Sequence, residues 1–147
     1  NLGVGVEITP DGADVENIVP AWMALLRDQW QDNDRLMISS VNLAALELCY
    51  EIDPQRHLAP LYEDIPEDWQ EQLAGIEAYS LNCDYARLTE AQARAVKAAG
   101  YKLLCYTVHV PQTVETHWAR GQDAVITDEP TRLASLLTTT GLGRGVI

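Results

Sequence analysis

The chain lacks any run approaching the roughly 18 apolar residues that a bilayer-spanning helix needs, and no cationic leader with an apolar core opens it. Basic residues are few. Ten Lys and Arg stand against 22 Asp and Glu, a formal net charge of −12. That excess argues against nucleic acid or an anionic membrane surface as partner. It does not forbid an anionic substrate, because a bound cation inverts the charge of a local site. Cysteine is limited to Cys49, Cys83 and Cys105. The odd number, the wide spacing and the lack of CxxC argue against a disulfide framework and against structural zinc. Each lies among apolar residues, as buried free thiols do, and a reducing, cytoplasmic compartment is expected. Phenylalanine is absent, which nothing else in the sequence explains. No Asn-Gly hairpin signal occurs between apolar runs. No GxGxxG follows the first strand, so a dinucleotide site is unsupported; nor is there an HExxH, a P-loop or a Ser-His-Asp order.

What is present suits a packed domain. The 147 residues are 47% hydrophobic, enough for one domain with a real core. The organising stretch is NLGVGVEITP, Asn1–Pro10. Val4, Val6 and Ile8 alternate with Gly5, Glu7 and Thr9, and a period of two sends the sets to opposite faces of a sheet. The apolar set is expected under helices, with Glu7 on the interior side. A carboxylate near the end of a buried parallel strand needs a cation or a hydrogen-bond donor. Otherwise Glu7 lies on a solvated face and does nothing.

Downstream, the chain alternates apolar runs with amphipathic ones. Asp14 is placed to cap a helix whose stripe is Ile18, Val19, Trp22, Leu25, Leu26 and Trp30. Leu36–Val41 has strand length and closes on Ser39 and Ser40. Asn42–Ile52 reads as a helix ending before Pro54. His57–Glu63 is a Pro-interrupted strand candidate, 67–73 a weak helix and 76–83 a further short strand. Thr89 and Gln92 form a capping box for a helix that Gly100 ends. Tyr101–Val108 is a strong strand, Pro111 starts a helix ending at Gly121, and Ala124–Asp128 is a last strand. Pro130 opens a helix through Leu137. Residues 138–147, rich in Gly and Thr, are expected to form a flexible tail, with 1–137 a single domain. The repeated strand, polar tip and helix is the βα rhythm of a parallel sheet, either an open doubly wound sheet or a barrel.

Polar residues gather at the strand ends: Glu7, Ser39 and Ser40, Thr107 to His109, Thr127 and Asp128. Such clustering is what the rim of a βα-barrel active site looks like. Each also has a plainer role. The serines suit a turn or helix start, His109 a loop cap and Asp128 a helix cap; His57 and His117 suit the surface, and EDIPED a solvated loop.

LTEAQARAVKAAGYKLLCYTVH followed by ARGQDAVITDEP resembles the C-terminal half of glycerophosphodiester phosphodiesterases. VGVEITP resembles their Glu-Ile-Lys strand and LMISSV their strand ending in Ser-Ser-Phe. Order and spacing agree along nearly the whole chain. The resemblance implies a parallel α/β fold, a TIM-type (β/α) barrel represented by its C-terminal part. It implies hydrolysis of glycerophosphodiesters to an alcohol and glycerol 3-phosphate with a divalent cation, Mg²⁺ or Ca²⁺, within lipid metabolism. Glu7 matches a metal-ligand carboxylate and Tyr106 an aromatic position beside the substrate pocket. Thr9 stands where a phosphate-contacting Lys is usual, His109 where Asn is usual and Val41 where Phe is usual.

The family's His-Arg-Gly motif, its Glu-x-Asp metal pair and its second catalytic His all precede the Glu-Ile-Lys strand, and none is in this sequence. The barrel is therefore expected to be incomplete at the N-terminus, the chain being a piece of a longer polypeptide, a part that a partner segment completes, or a degenerate copy. Its partners are then a small glycerophosphodiester substrate and either the missing N-terminal half or a second copy of the chain. Two other readings stand beside this one: a non-catalytic barrel-like binding or interaction module, and an unrelated α/β enzyme sharing only the rhythm.

Overall fold

A computed structural model describes residues 4–10, 14–30, 32–133 and 145–146. Contacts divide the chain into two compact units, one of residues 1–61 and 66–80, the other of 62–65 and 81–147.

The first unit contains β1 (Val4–Glu7), α1 (Val15–Gln29), β2 (Leu36–Ser40), α2 (Leu43–Ile52), β3 (His57–Tyr62) and α3 (Trp69–Gly75). β1 pairs in parallel with β2, with Glu7 opposite Ser39, and β2 pairs in parallel with β3, with Ser40 opposite Pro60. β2 is buried almost throughout, as strands covered on both faces are. Leu36, Ile38, Ala45, Leu46, Cys49 and Leu58 form its core. Asn42 caps α2 by accepting the Ala45 amide at 3.2 Å. The buried Arg56 guanidinium reaches the Asp53 carboxylate at 3.0 Å and the Trp30 carbonyl at 3.4 Å, which offsets its desolvation.

Several expectations need correcting here. α1 buries Val19, Met23 and Leu26 and packs on α2. Trp22 and Leu25, read as part of the buried stripe, are 44% and 50% exposed. Asp14 holds the N-cap position without bonding a backbone amide; its carboxylate takes the Asn17 side-chain amide at 2.7 Å instead. β1 meets a strand only on its β2 side among the described residues. Val4 is therefore exposed and Val6 half-buried, and only Ile8 is fully covered. The strand expected over 76–83 begins later because its first residues close α3. Glu77 adopts φ 45°, its amide bonds the Ala74 carbonyl at 3.2 Å, and the Ala78 amide reaches back to Leu73 at 2.9 Å. That is the double bond of a left-handed helix stop.

The second unit contains most of β4 (Ser80–Asp84), then α4 (Glu90–Ala98), β5 (Lys102–Tyr106), α5 (Pro111–Ala119), β6 (Ala124–Val125) and β7 (Gly145–Val146). β5 pairs in parallel with β6, and β6 with β7. The Thr89–Gln92 capping box forms on α4. Gly100, at φ 89°, ends that helix where an L side chain would be strained. Val108, Val114, Trp118, Val125 and Leu133 pack as one core with Tyr85 against it. At the amino end of β6, Asp123 accepts the Leu103 amide at 2.8 Å and the Lys97 ammonium at 2.5 Å, with Lys102 at 3.7 Å. Burial alone raises the Asp123 pKa, but Lys97, the Leu103 amide and Lys102 outweigh it and hold the carboxyl below its ordinary value. Residues 130–133 are helical; 134–137 of the expected helix lie outside the described residues. Of the expected tail, 138–144 and 147 also lie outside them. Gly145 and Val146 depart from a loose tail, because the edge of β6 offers their backbone a ladder. Among the described residues no helix is long and apolar enough to cross a membrane.

Candidate active-site rim

The carboxyl ends of the parallel strands hold the residues singled out by the sequence. In the first unit, the chain beyond Glu7 is clasped to β2. The Ile8 amide donates to the Ser39 carbonyl at 2.8 Å, and the Ser40 hydroxyl donates to the Ile8 carbonyl at 2.6 Å. The same hydroxyl accepts the Asn42 amide at 3.0 Å. Ser40 is thus fully occupied in shaping the turn into α2, the plainer of its two roles. Glu7 and Thr9 flank the buried Ile8 and are both exposed. Glu7 was expected on the interior side; with β1 unpaired on its other side among the described strands, its carboxylate is open to solvent. Val41, where the resemblance expects Phe, is 66% exposed.

In the second unit, Tyr106 is half-buried at the end of β5, and its carbonyl accepts the Tyr85 amide at 3.0 Å. Three residues on, His109 Nε2 lies 4.0 Å from Asp128 Oδ2. His109 Nδ1 is buried with no hydrogen-bond partner among the described residues. The helix opens at Pro130, so Glu129 and not Asp128 holds the capping position; the Thr127 hydroxyl accepts the Glu129 amide at 3.0 Å in the turn before it, and Asp128 is exposed and faces His109. Glu129 pairs with Arg132 at 2.7 Å, and that guanidinium holds the Glu129 carboxyl below its ordinary value.

The structure brings His109 and Asp128 together in the second unit; in the first, Glu7 and Thr9 lie either side of the buried Ile8 and both reach solvent. His57 stacks on Tyr79 with ring centroids 4.2 Å apart. The His117 side chain lies outside the described residues. In the EDIPED loop, Asp64 forms an exposed ion pair with Arg87. The Asp123 knot was not foreseen, since nothing in sequence spacing joins Lys97 to Asp123; it lies at the amino end of β6, where support of the fold is the usual role.

A resident divalent ion needs several oxygen ligands. Among the described residues no group of three or more His, Cys, Asp or Glu converges to hold one. Glu7 alone does not make that set.

Within each unit, polar residues at the carboxyl ends of parallel strands are the arrangement expected of (β/α) barrel proteins. Residues 2–132 match the Glycerophosphoryl diester phosphodiesterase family, and the chain belongs to it. A Glycerophosphodiester phosphodiesterase from Caldanaerobacter subterraneus subsp. tengcongensis is 30% identical over 110 residues, covering 74% of this chain and 45% of that protein. An Oleispira antarctica phosphodiesterase, solved in complex with the product sn-glycerol-3-phosphate, is 27% identical with a TM-score of 0.87, over 93% of this chain and 56% of that one. A glycerophosphoryl diester phosphodiesterase structure from Silicibacter pomeroyi, 20% identical, matches in fold at a TM-score of 0.80, over 95% of this chain and 52% of that one. The chain therefore has a partial (β/α) barrel fold and spans about half the length of these relatives.

Proposed function

We propose that this chain is the carboxyl-terminal part of a hydrolase that cleaves glycerophosphodiesters to an alcohol and glycerol 3-phosphate. The observation that carries the reading is the family match over residues 2–132, with Glu7 at the carboxyl end of the first matched strand. Glu7 would supply one carboxylate to a divalent cation, Mg²⁺ or Ca²⁺, whose other ligands come from outside the chain. Such an ion offsets charge on the phosphodiester. The Tyr106 ring walls the substrate, and Thr9 and His109 offer hydrogen bonds to its polar groups. A hydroxyl at Thr9 gives directional bonding without the positive charge of a lysine, so phosphate affinity rests more heavily on the cation. Acid–base histidines belong to the completing segment. That segment is the N-terminal half of the barrel or a second copy, and the cytoplasm is the proposed setting.

The test joins the chain to a segment bearing the His-Arg-Gly and Glu-x-Asp motifs and measures glycerol 3-phosphate release from glycerophosphocholine with Mg²⁺ or Ca²⁺. Turnover by the joined protein, lost on Glu7→Gln, supports the reading. A folded joined protein without turnover favours a non-catalytic binding module.

A further inference from the structure

We propose that Cys83 and Cys105 are an oxidisable pair that closes to a buried disulfide between β4 and β5. Their sulfurs lie 3.8 Å apart on neighbouring strands, and one thiol hydrogen bonds to the other. Both are free and buried, and Cys49 is the other free cysteine among the described residues. Neighbouring strands lie about 4.8 Å apart. That is inside the roughly 4.4–6.8 Å between Cα atoms that a disulfide spans. Closing the pair draws the sulfurs to about 2.05 Å, a movement that side-chain rotation supplies without breaking the ladder.

The co-reactant is a small-molecule disulfide. One cysteine thiolate attacks it, forming a mixed disulfide and expelling one reduced thiol. The second cysteine, as thiolate, attacks the protein sulfur and expels the other. The two protein thiols are oxidised, the small disulfide is reduced to two thiols, and the protein loses two hydrogen atoms. The hydrogen bond with Cys83, burial and the nearby Asp84 carboxylate push the Cys105 thiol well above its ordinary range. The Cys105 thiolate is therefore scarce in the closed fold; with both sulfurs buried, the exchange waits on local opening, and the bond, once made, is shielded from reductant. The crosslink sits one residue before Asp84 and one before Tyr106, where the Tyr85 amide already meets the Tyr106 carbonyl at 3.0 Å. Oxidation would thus stiffen the end of β5 that carries Tyr106.

The experiment incubates the folded protein with glutathione disulfide, quenches with acid, alkylates in denaturant and maps peptides by mass spectrometry. The expected result is a peptide joining Cys83 to Cys105, lighter by two hydrogen atoms than its reduced parts, with Cys49 alkylated. Titratable thiols then fall from the three of the sequence to the one at Cys49. Cys83→Ala is expected to lose the crosslink, leaving Cys105 as a thiol or a mixed disulfide. The proposal is overturned if the wild-type crosslink forms only in denaturant, if Cys49 enters it in comparable yield, or if all three thiols survive the oxidant.

Discussion

The Ser40 hydroxyl donates to the Ile8 carbonyl at 2.6 Å in a buried setting and accepts the Asn42 amide at 3.0 Å. One side chain thus ties the exit of β1 to the exit of β2 and sets the start of α2. Ser40→Ala leaves that carbonyl and that amide without this partner, at a cost of about 1–3 kcal/mol. Urea melts of the two proteins check the value, and an unchanged midpoint would show that water replaces the hydroxyl.

Asp123→Asn is expected to weaken the second unit by about 1 kcal/mol at neutral pH, after allowance for solvent reaching its 27% exposed side chain. The folded carboxyl ionises below its ordinary value of 3.8. The ionised form is therefore favoured by folding, and its stabilisation is present above pH 4 or so. It is lost as pH falls through the folded value. The variant's melting temperature should lie below the wild type's at pH 7 and approach it in acid. A gap that does not narrow with acid would assign the loss to packing.

Glu7→Gln in the complete protein keeps shape and removes charge. If Glu7 holds the cation, metal affinity falls at least roughly tenfold, since hard divalent ions are held largely by carboxylate oxygens. Activity falls with it and recovers partly at high metal. Calorimetric titration with Mg²⁺ and Ca²⁺ decides. An unaltered isotherm would take Glu7 out of the site.

The 147-residue chain by itself is expected to release no glycerol 3-phosphate from glycerophosphocholine above a metal-only blank. A single carboxylate holds such an ion poorly, and among the described residues no trio of His, Cys, Asp or Glu converges to hold one. Turnover above the blank would mean that the acid–base groups lie within this chain.

Thr9→Lys in the complete protein introduces a positive charge two residues from Glu7. A charge-assisted bond to phosphate is worth about 1.5–3 kcal/mol, so affinity for sn-glycerol 3-phosphate should rise roughly tenfold or more. Equal affinities would place Thr9 away from the phosphate.

Much of the fold was legible. The apolar runs of strand length at Leu36–Ser40 and Lys102–Tyr106, the Thr89–Gln92 box and the Gly100 stop are local signals, and local backbone chemistry satisfies them. The stop at Glu77 was not legible, because a non-glycine residue holds the left-handed conformation there and nothing in its identity announces it. At the rim, types and positions were readable but roles were not. Asp128 reads as a cap until the helix is seen to open at Pro130, with Glu129 next to it.

Periodicity, caps and turn residues act within a few residues of chain, so the element order as far as β6, the parallel rhythm, the lack of a hairpin signal and the family resemblance could all be read from the residues alone. Which apolar residues are covered was set by long-range packing, since Trp22 and Leu25 fit the helical stripe yet remain exposed beside a buried Val19, Met23 and Leu26. It also decided that Lys97 meets Asp123 and that Cys83 meets Cys105. Contacts between residues more than 20 positions apart depend on which strands become neighbours, and no local pattern encodes that distance.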